Sequence, residues 1–274
     1  MTLDEQLIHT TICVVSTFAD KSICTGTGFF FNFKIGDNTI PAIVTNKHVV
    51  ENCTGISLTF NIDVNGEYVP GNKETLNIKS SDLIIISHPE KDVDLCAVLI
   101  GPILNNSGKK FYFKCFSQEN ILSQEYIHNS ISNIEDIALI GYPDGIVDTY
   151  NNLPVVRRGI TATSIKYDFD NKKEFLIDSA IFPGSSGSPV FIYNQGSYSI
   201  GNTLYAGDRM LLVGIVCAVY QHCIDGELKV VQIPSLNKIV SRSAMPNNLG
   251  LVIKAERILE LIPRINAFCQ STKK

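Results

Sequence analysis

The sequence predicts an all-β fold made of two antiparallel β units and closed by one amphipathic helix. Three observations carry this expectation. Short runs rich in β-branched and aromatic residues recur between turn-forming Gly, Pro, Asn and Asp. Helical periodicity is missing from those runs, and a polar stretch at 117–133 divides them into two sets. Parallel strands need a crossover helix between neighbours, so short strands without intervening helices imply antiparallel sandwiches or barrels.

In chain order, the first set of strand-like runs covers 11–16, 28–33, 40–45, 56–62, 83–87 and 95–100. The second covers 134–140, 155–164, 174–177, 189–193, 211–220 and 249–253. From Ala255 onward the pattern changes: Ile258, Leu259, Leu261, Ile262, Ile265 and Phe268 recur at helical spacing. That spacing predicts a closing helix packed on the second unit, kinked or restarted at Pro263. The expected divisions are therefore 8–118 for the first unit, 119–133 for a linker, 134–254 for the second unit and 255–270 for the helix.

Composition bounds the function. The chain has 274 residues, 45% hydrophobic and 18% charged, with 19 Gly and 11 Pro, which describes a loop-rich globular protein and excludes disorder. A net charge of −4 supplies no basic field for nucleic acid. The longest apolar run, 210–220, falls short of the roughly 20 residues a membrane-spanning helix needs, and the N-terminus lacks the pattern of a secretory leader. A cytoplasmic address is expected. The eight cysteines form no CxxC pair and lie among apolar neighbours, as buried reduced thiols do. Cys217, His222 and Cys223 cluster locally, but three donors without a fourth do not make a zinc site.

The most informative stretch is Asp178-Ser179-Ala180-Ile181-Phe182-Pro183-Gly184-Ser185-Ser186-Gly187-Ser188. A serine among glycines and small residues suits a tight turn that projects the Ser186 hydroxyl while backbone N–H groups around Gly184, Ser185 and Ser186 converge on one spot, as a developing oxyanion demands. An ordinary Gly/Ser loop is the plainer alternative. A nucleophilic serine needs a base, normally a histidine oriented by a carboxylate. His48 ends a strand-like run, a place where histidines are more often structural. Asp94 heads an apolar run, where an unpartnered carboxylate is costly to bury, and Asp92 is its competitor. Ser186, Asp208 and His222 also follow the chain order of an α/β-hydrolase, but position 188 is Ser where that fold's nucleophile elbow carries Gly, and α/β alternation is missing.

His48, Asp94 and Ser186, in this order and with these flanks, resemble the trypsin-like serine proteases of the two-barrel chymotrypsin fold, and within them the HtrA/DegP-type protease domain. Gly26-Thr27-Gly28-Phe29, Val44-Thr45-Asn46-Lys47-His48, Gly141-Tyr142-Pro143, Gly214-Ile215 and Leu249-Gly250 add to the likeness, which spans roughly residues 10–262. The resemblance implies two six-stranded antiparallel β-barrels, a His48–Asp94–Ser186 triad, an oxyanion hole at Gly184, Ser185 and Ser186, and no metal or organic cofactor. It also implies a substrate pocket formed by Ala180, Ile181, Cys217, Ala218 and Val219. Nothing there is charged, so cleavage after small or medium aliphatic residues is expected. Position 185 is Ser instead of the Asp that secreted trypsins pair with a freed N-terminus, and no segment follows for a PDZ module, so neither form of control is expected. A protein or peptide substrate is implied, with a dedicated partner or activator left open. The rival from another class is a catalytically silent fold serving as a protein-binding module.

Overall fold

A computed structural model describes residues 2–228 and 239–272, without the side chains of residue 3 and of 220–247. After a short helix, α1 (Leu3–Leu7), the first half contains β1 (Thr11–Thr17), β2 (Ile23–Ile35), β3 (Asn38–Thr45), the single turn α2 (Lys47–Val50), β4 (Gly55–Val64), β5 (Glu67–Lys79), β6 (Ile85–Ser87), β7 (Cys96–Leu99), α3 (Gly101–Ser107), β8 (Phe111–Tyr112) and β9 (Phe116–Ser117). The strands run β5-β4-β1-β2-β3-β7-β6, with β8 on β4 and β9 on β2. Expected as a six-stranded barrel, this half is a nine-stranded sheet in which β9 pairs in parallel with β2. Three strands, β5, β8 and β9, are additional; the long one, β5, escapes the sequence reading because its side chains are exposed or half-buried, leaving no apolar alternation.

A helix, α4 (Gln124–Ser130), occupies the expected linker, started by Ser123, whose Oγ accepts the Tyr126 N–H at 3.2 Å. The second half comprises β10 (Asp136–Gly141), β11 (Val155–Thr161), β12 (Glu174–Asp178), β13 (Pro189–Asn194), the outlying hairpin β14 (Ser197–Ile200) and β15 (Thr203–Ala206), β16 (Arg209–Leu228) and β17 (Ile239–Lys254). Six of these strands close into a barrel in the order β10-β11-β12-β17-β16-β13. The expected closing helix is two pieces: a 3-10 stretch at Ala255–Leu261, then α5 (Ile262–Ser271), with Pro263 in its first turn, where a missing N–H costs nothing. Among the described residues no helix is long and apolar enough to cross a membrane.

Alternation along β2 explains its unbroken apolar run. Phe29, Phe31 and Phe33 face a core shared with Ile140, Phe191, Leu212 and Ile215 of the second half, and with Ile258, Leu261 and Ile265 of the chain's end. Phe30 points the other way, into the core of the first half beside Ile43, Leu58 and Phe60. A strand buried on both faces reads as a continuous hydrophobic run. Each fully buried Phe contributes about 1.5–3 kcal/mol, so this shared core provides most of the cohesion between the halves.

Polar contacts tie the same junction at one edge. Arg257 bonds Glu90 at 3.0 and 2.6 Å and also reaches Glu260. Buried His88 accepts the Glu90 N–H at Nδ1 and therefore presents Nε2–H to Glu260 at 3.0 Å. Burial, reinforced by Arg257, lowers the His88 pKa from its ordinary value. The segment entering Asp94 is thus fastened to the end of the chain. Phe31→Ala, at a fully buried position of the shared core, is expected to lower unfolding free energy in urea by about 3–5 kcal/mol. Leu204→Ser, on the exposed β14–β15 hairpin, should stay within about 0.5 kcal/mol of the parent; equal losses at both sites would contradict the shared core as the main source of cohesion.

Candidate active site

His48 sits in α2, the single turn that ends β3. Val49 and Val50 bury their side chains in the first core and hold this turn down, while Gly26 lies so close that a Cβ there would meet the Val49 methyls at 2.5 Å. His48 consequently faces outward. Asp94 grips it at two points: Oδ1 accepts the His48 backbone N–H at 3.1 Å and Oδ2 meets ring Nδ1 at 2.5 Å. Fully buried Asn46 fixes the carboxylate's own backbone, donating from Nδ2 to the Asp94 carbonyl at 2.7 Å.

Burial raises the Asp94 pKa, but the hydrogen bonds and charge of His48, with backbone N–H groups of His48 and Lys47, outweigh it and hold the carboxyl below its ordinary value. An ionised carboxylate at Nδ1 places the proton there and leaves Nε2 with the lone pair of a neutral imidazole. Such a nitrogen can accept a proton from a hydroxyl.

Ser186 lies in the connection from β12 to β13, which is held by a series of backbone hydrogen bonds. Phe182, Pro183, Gly184 and Ser185 make a turn in which the Ser185 N–H donates to the Phe182 carbonyl at 3.0 Å. Gly184 takes φ +87°, the left-handed value that a third turn position requires of glycine. The Pro183 carbonyl accepts the Asp144 N–H at 2.5 Å, and that of Ser185 accepts the Ser188 N–H at 3.0 Å. Ser186 itself is held to the first half, its carbonyl accepting the Thr27 N–H at 2.8 Å. Gly187 approaches so closely that a Cβ would overlap the Thr27 carbonyl at 1.9 Å and the Thr45 hydroxyl at 2.6 Å. Among the described residues, the N–H groups of Gly184 and Ser186 have no acceptor, and the Ser186 hydroxyl makes no hydrogen bond. Two free donors beside a hydroxyl can receive an oxygen on which negative charge develops.

The structure therefore joins His48 to Asp94, leaves Asp92 exposed, and anchors the Ser186 loop on the strand pair that leads into His48. Asp208 is elsewhere, accepting the Gly196 N–H at 2.7 Å, while the side chains of His222 and Cys223 lie outside those described. Three of the expected site residues have partners or packing of their own. Ser185 is no free oxyanion donor, because its N–H is consumed by the turn. Ile181 is buried in the second core, with Cδ1 1.9 Å from where a Gly250 Cβ would stand. Cys217 is buried in the shared core, its thiol donating to the Leu251 carbonyl at 3.4 Å. Ala180 and Ala218 are exposed and Val219 is half-buried. Sequence reasoning missed Thr27, Asn46 and Asp144 as functional neighbours, although Gly26-Thr27-Gly28 and Gly141-Tyr142-Pro143 mark where the chain approaches itself closely.

No curated protein matches the chain. Among solved structures it is similar to the Rv3671c protease of M. tuberculosis in its active form, at 12% identity over 95% of this chain and 82% of that one, with a TM-score of 0.47. It is also similar to the protease Anisep from Arthrobacter nicotinovorans, at 11% identity over 91% of each chain, with a TM-score of 0.42. The sequence profile of the trypsin-like peptidase domain matches residues 26–201, a span that includes His48, Asp94 and Ser186. By that match, the chain belongs to the trypsin-like peptidase domain family.

Proposed function

We propose that the protein is a serine endopeptidase in which Ser186 is the nucleophile, His48 the general base and acid, and Asp94 the carboxylate that orients the imidazole. Family membership supports a protein or peptide substrate. The observation that carries the reading is the double grip of Asp94 on His48, which fixes both ring direction and tautomer. In the first step Ser186 Oγ bonds to the peptide carbonyl carbon while its proton passes to His48 Nε2. The oxygen that becomes negative is received by the N–H groups of Gly184 and Ser186. His48 then protonates the departing amine, and a water molecule, deprotonated by the same imidazole, releases the acyl group.

The reading extends to cleavage after small or medium aliphatic residues. Ala180, Ala218 and Val219 offer no carboxylate to attract Lys or Arg and no cation to attract Asp or Glu, and Ile181 already fills space beside Gly250. Register supports substrate docking as an added strand: β13 pairs with β16 through Pro189 and Ile215, whereas β17 continues along β16 past Val219. The β16 edge at 217–219 is where an extended peptide would pair.

Ser186→Ala is expected to abolish covalent labelling by a fluorophosphonate with an unchanged melting temperature. Labelling of that variant at full strength removes Ser186 from the role, and a wild type that neither labels nor hydrolyses peptides favours the silent binding module. Asp94→Asn should lower kcat by about 10⁴-fold. Because the Asp94 carboxyl is held below its ordinary value, it stays ionised through the ordinary carboxylate range. Its protonation is therefore expected to cause no loss of kcat/KM within that range; a carboxylate ionisation appearing there in the pH profile would contradict the grip on His48.

A further inference from the structure

Thr27, in β2, is fully buried, and all its polar atoms are engaged. Its N–H donates to the Ser186 carbonyl at 2.8 Å. Its hydroxyl donates to the Gly184 carbonyl at 2.9 Å and accepts the Tyr142 N–H at 3.1 Å. Its own carbonyl accepts the Thr45 hydroxyl at 2.7 Å. One residue thereby links β2, the end of β3 just before His48, the turn at Tyr142–Gly145 and the Ser186 loop.

The arrangement has consequences for peptide orientation. A trans peptide is planar and points its N–H opposite to its carbonyl, so holding the carbonyl aims the N–H. The Pro183 carbonyl is held by the Asp144 N–H, which aims the Gly184 N–H away from the Tyr142–Gly145 turn. That turn is in turn tied to the Thr27 hydroxyl through the Tyr142 N–H. The next plane is fixed at both ends, with the Gly184 carbonyl on Thr27 and the Ser185 N–H on Phe182. A flip of the first plane would turn the Gly184 donor out of the site and must break the Pro183 bond, while a flip of the second must break the bonds to Thr27 and Phe182. Gly184 has little room to move otherwise, since a Cβ there would meet the Tyr142 carbonyl at 2.4 Å.

We propose that the Thr27 hydroxyl is a positioning residue for the oxyanion site: by bridging the Tyr142–Gly145 turn to the Gly184 carbonyl, it keeps the Gly184 N–H available to the oxygen that becomes negative when Ser186 attacks. The inference rests on the serine peptidase reading. It assigns Thr27 no contact with substrate. Removing its hydroxyl should therefore weaken stabilisation of the transition state and leave ground-state binding nearly alone.

The test compares wild type, Thr27→Val and Thr27→Ser on one peptide substrate, with rates taken per folded molecule at a temperature where each is folded. A peptide aldehyde, whose hemiacetal oxygen occupies the oxyanion position, is the second probe. Thr27→Val, which fills the same space without a hydroxyl, is expected to lower kcat by about 10²-fold, as loss of an oxyanion donor does, with KM within about threefold. Aldehyde inhibition should weaken in parallel with kcat, and Thr27→Ser should rescue both. If Thr27→Val does not fold, Thr27→Cys, a weaker donor of similar size, is measured for the same split. An active wild type with a hydroxyl-free or thiol variant equal to it in kcat and aldehyde affinity overturns the Thr27 role alone. A rise in KM with unchanged kcat overturns it as well. A wild type without hydrolysis or fluorophosphonate labelling overturns the peptidase reading together with this inference.

Discussion

The candidate site is divided between two β units, so its geometry is only as good as the seam that joins them. His48 and Asp94 belong to the first half and Ser186 to the second. The apolar core on Phe29, Phe31 and Phe33 supplies the bulk of the adhesion, but hydrophobic burial has no direction. Alignment comes from the main-chain bonds at Thr27 and from the glycines that let backbones approach. Exposed ion pairs, at roughly 0–1 kcal/mol each, are too weak to set that alignment. The seam is therefore apolar in one part and directional in another, and the reactive groups are placed on the directional part.

Two buried thiols lie within electrostatic reach of the Asp94 carboxylate. Cys96 is fully buried near Asp94, and burial followed by the Asp94 charge pushes its thiol up. Burial, then Glu174 and Asp94, does the same to Cys217. Both thiols stay protonated and inert, since a thiol becomes nucleophilic only as the thiolate. Asp94 thus keeps its negative charge through its bonds to His48 and the backbone.

Much of this was legible in the residues because the forces involved leave local marks. Alternation of apolar side chains disclosed most strands, the Pro and Gly positions disclosed the Ser186 turn, and helical spacing disclosed the closing helix. What remained hidden depended on partners distant in sequence. Strand β5 has no buried face, so nothing in its composition sets it apart from a loop. Helix α4 announces itself only through the Ser123 cap and two buried isoleucines, Ile127 and Ile131. Ile181 and Cys217 look like pocket walls by position, yet both are buried, Ile181 beside Gly250 and Cys217 beside Leu251 of β17. The Ser185 N–H seemed free because its acceptor, three residues earlier, appears only once Gly184 adopts its left-handed turn.

The cluster of Glu90, Arg257, Glu260 and His88 carries an implication for biosynthesis. Arg257 stands 167 positions after the glutamate it clasps, so a ribosome must translate that whole interval before the clasp can close. Until then the stretch entering Asp94 lacks one of its anchors, and the shared core lacks Ile258, Leu261 and Ile265. The candidate cleft is therefore finished only after the segment carrying Arg257 to Ile265 has been made and has docked on the earlier strands.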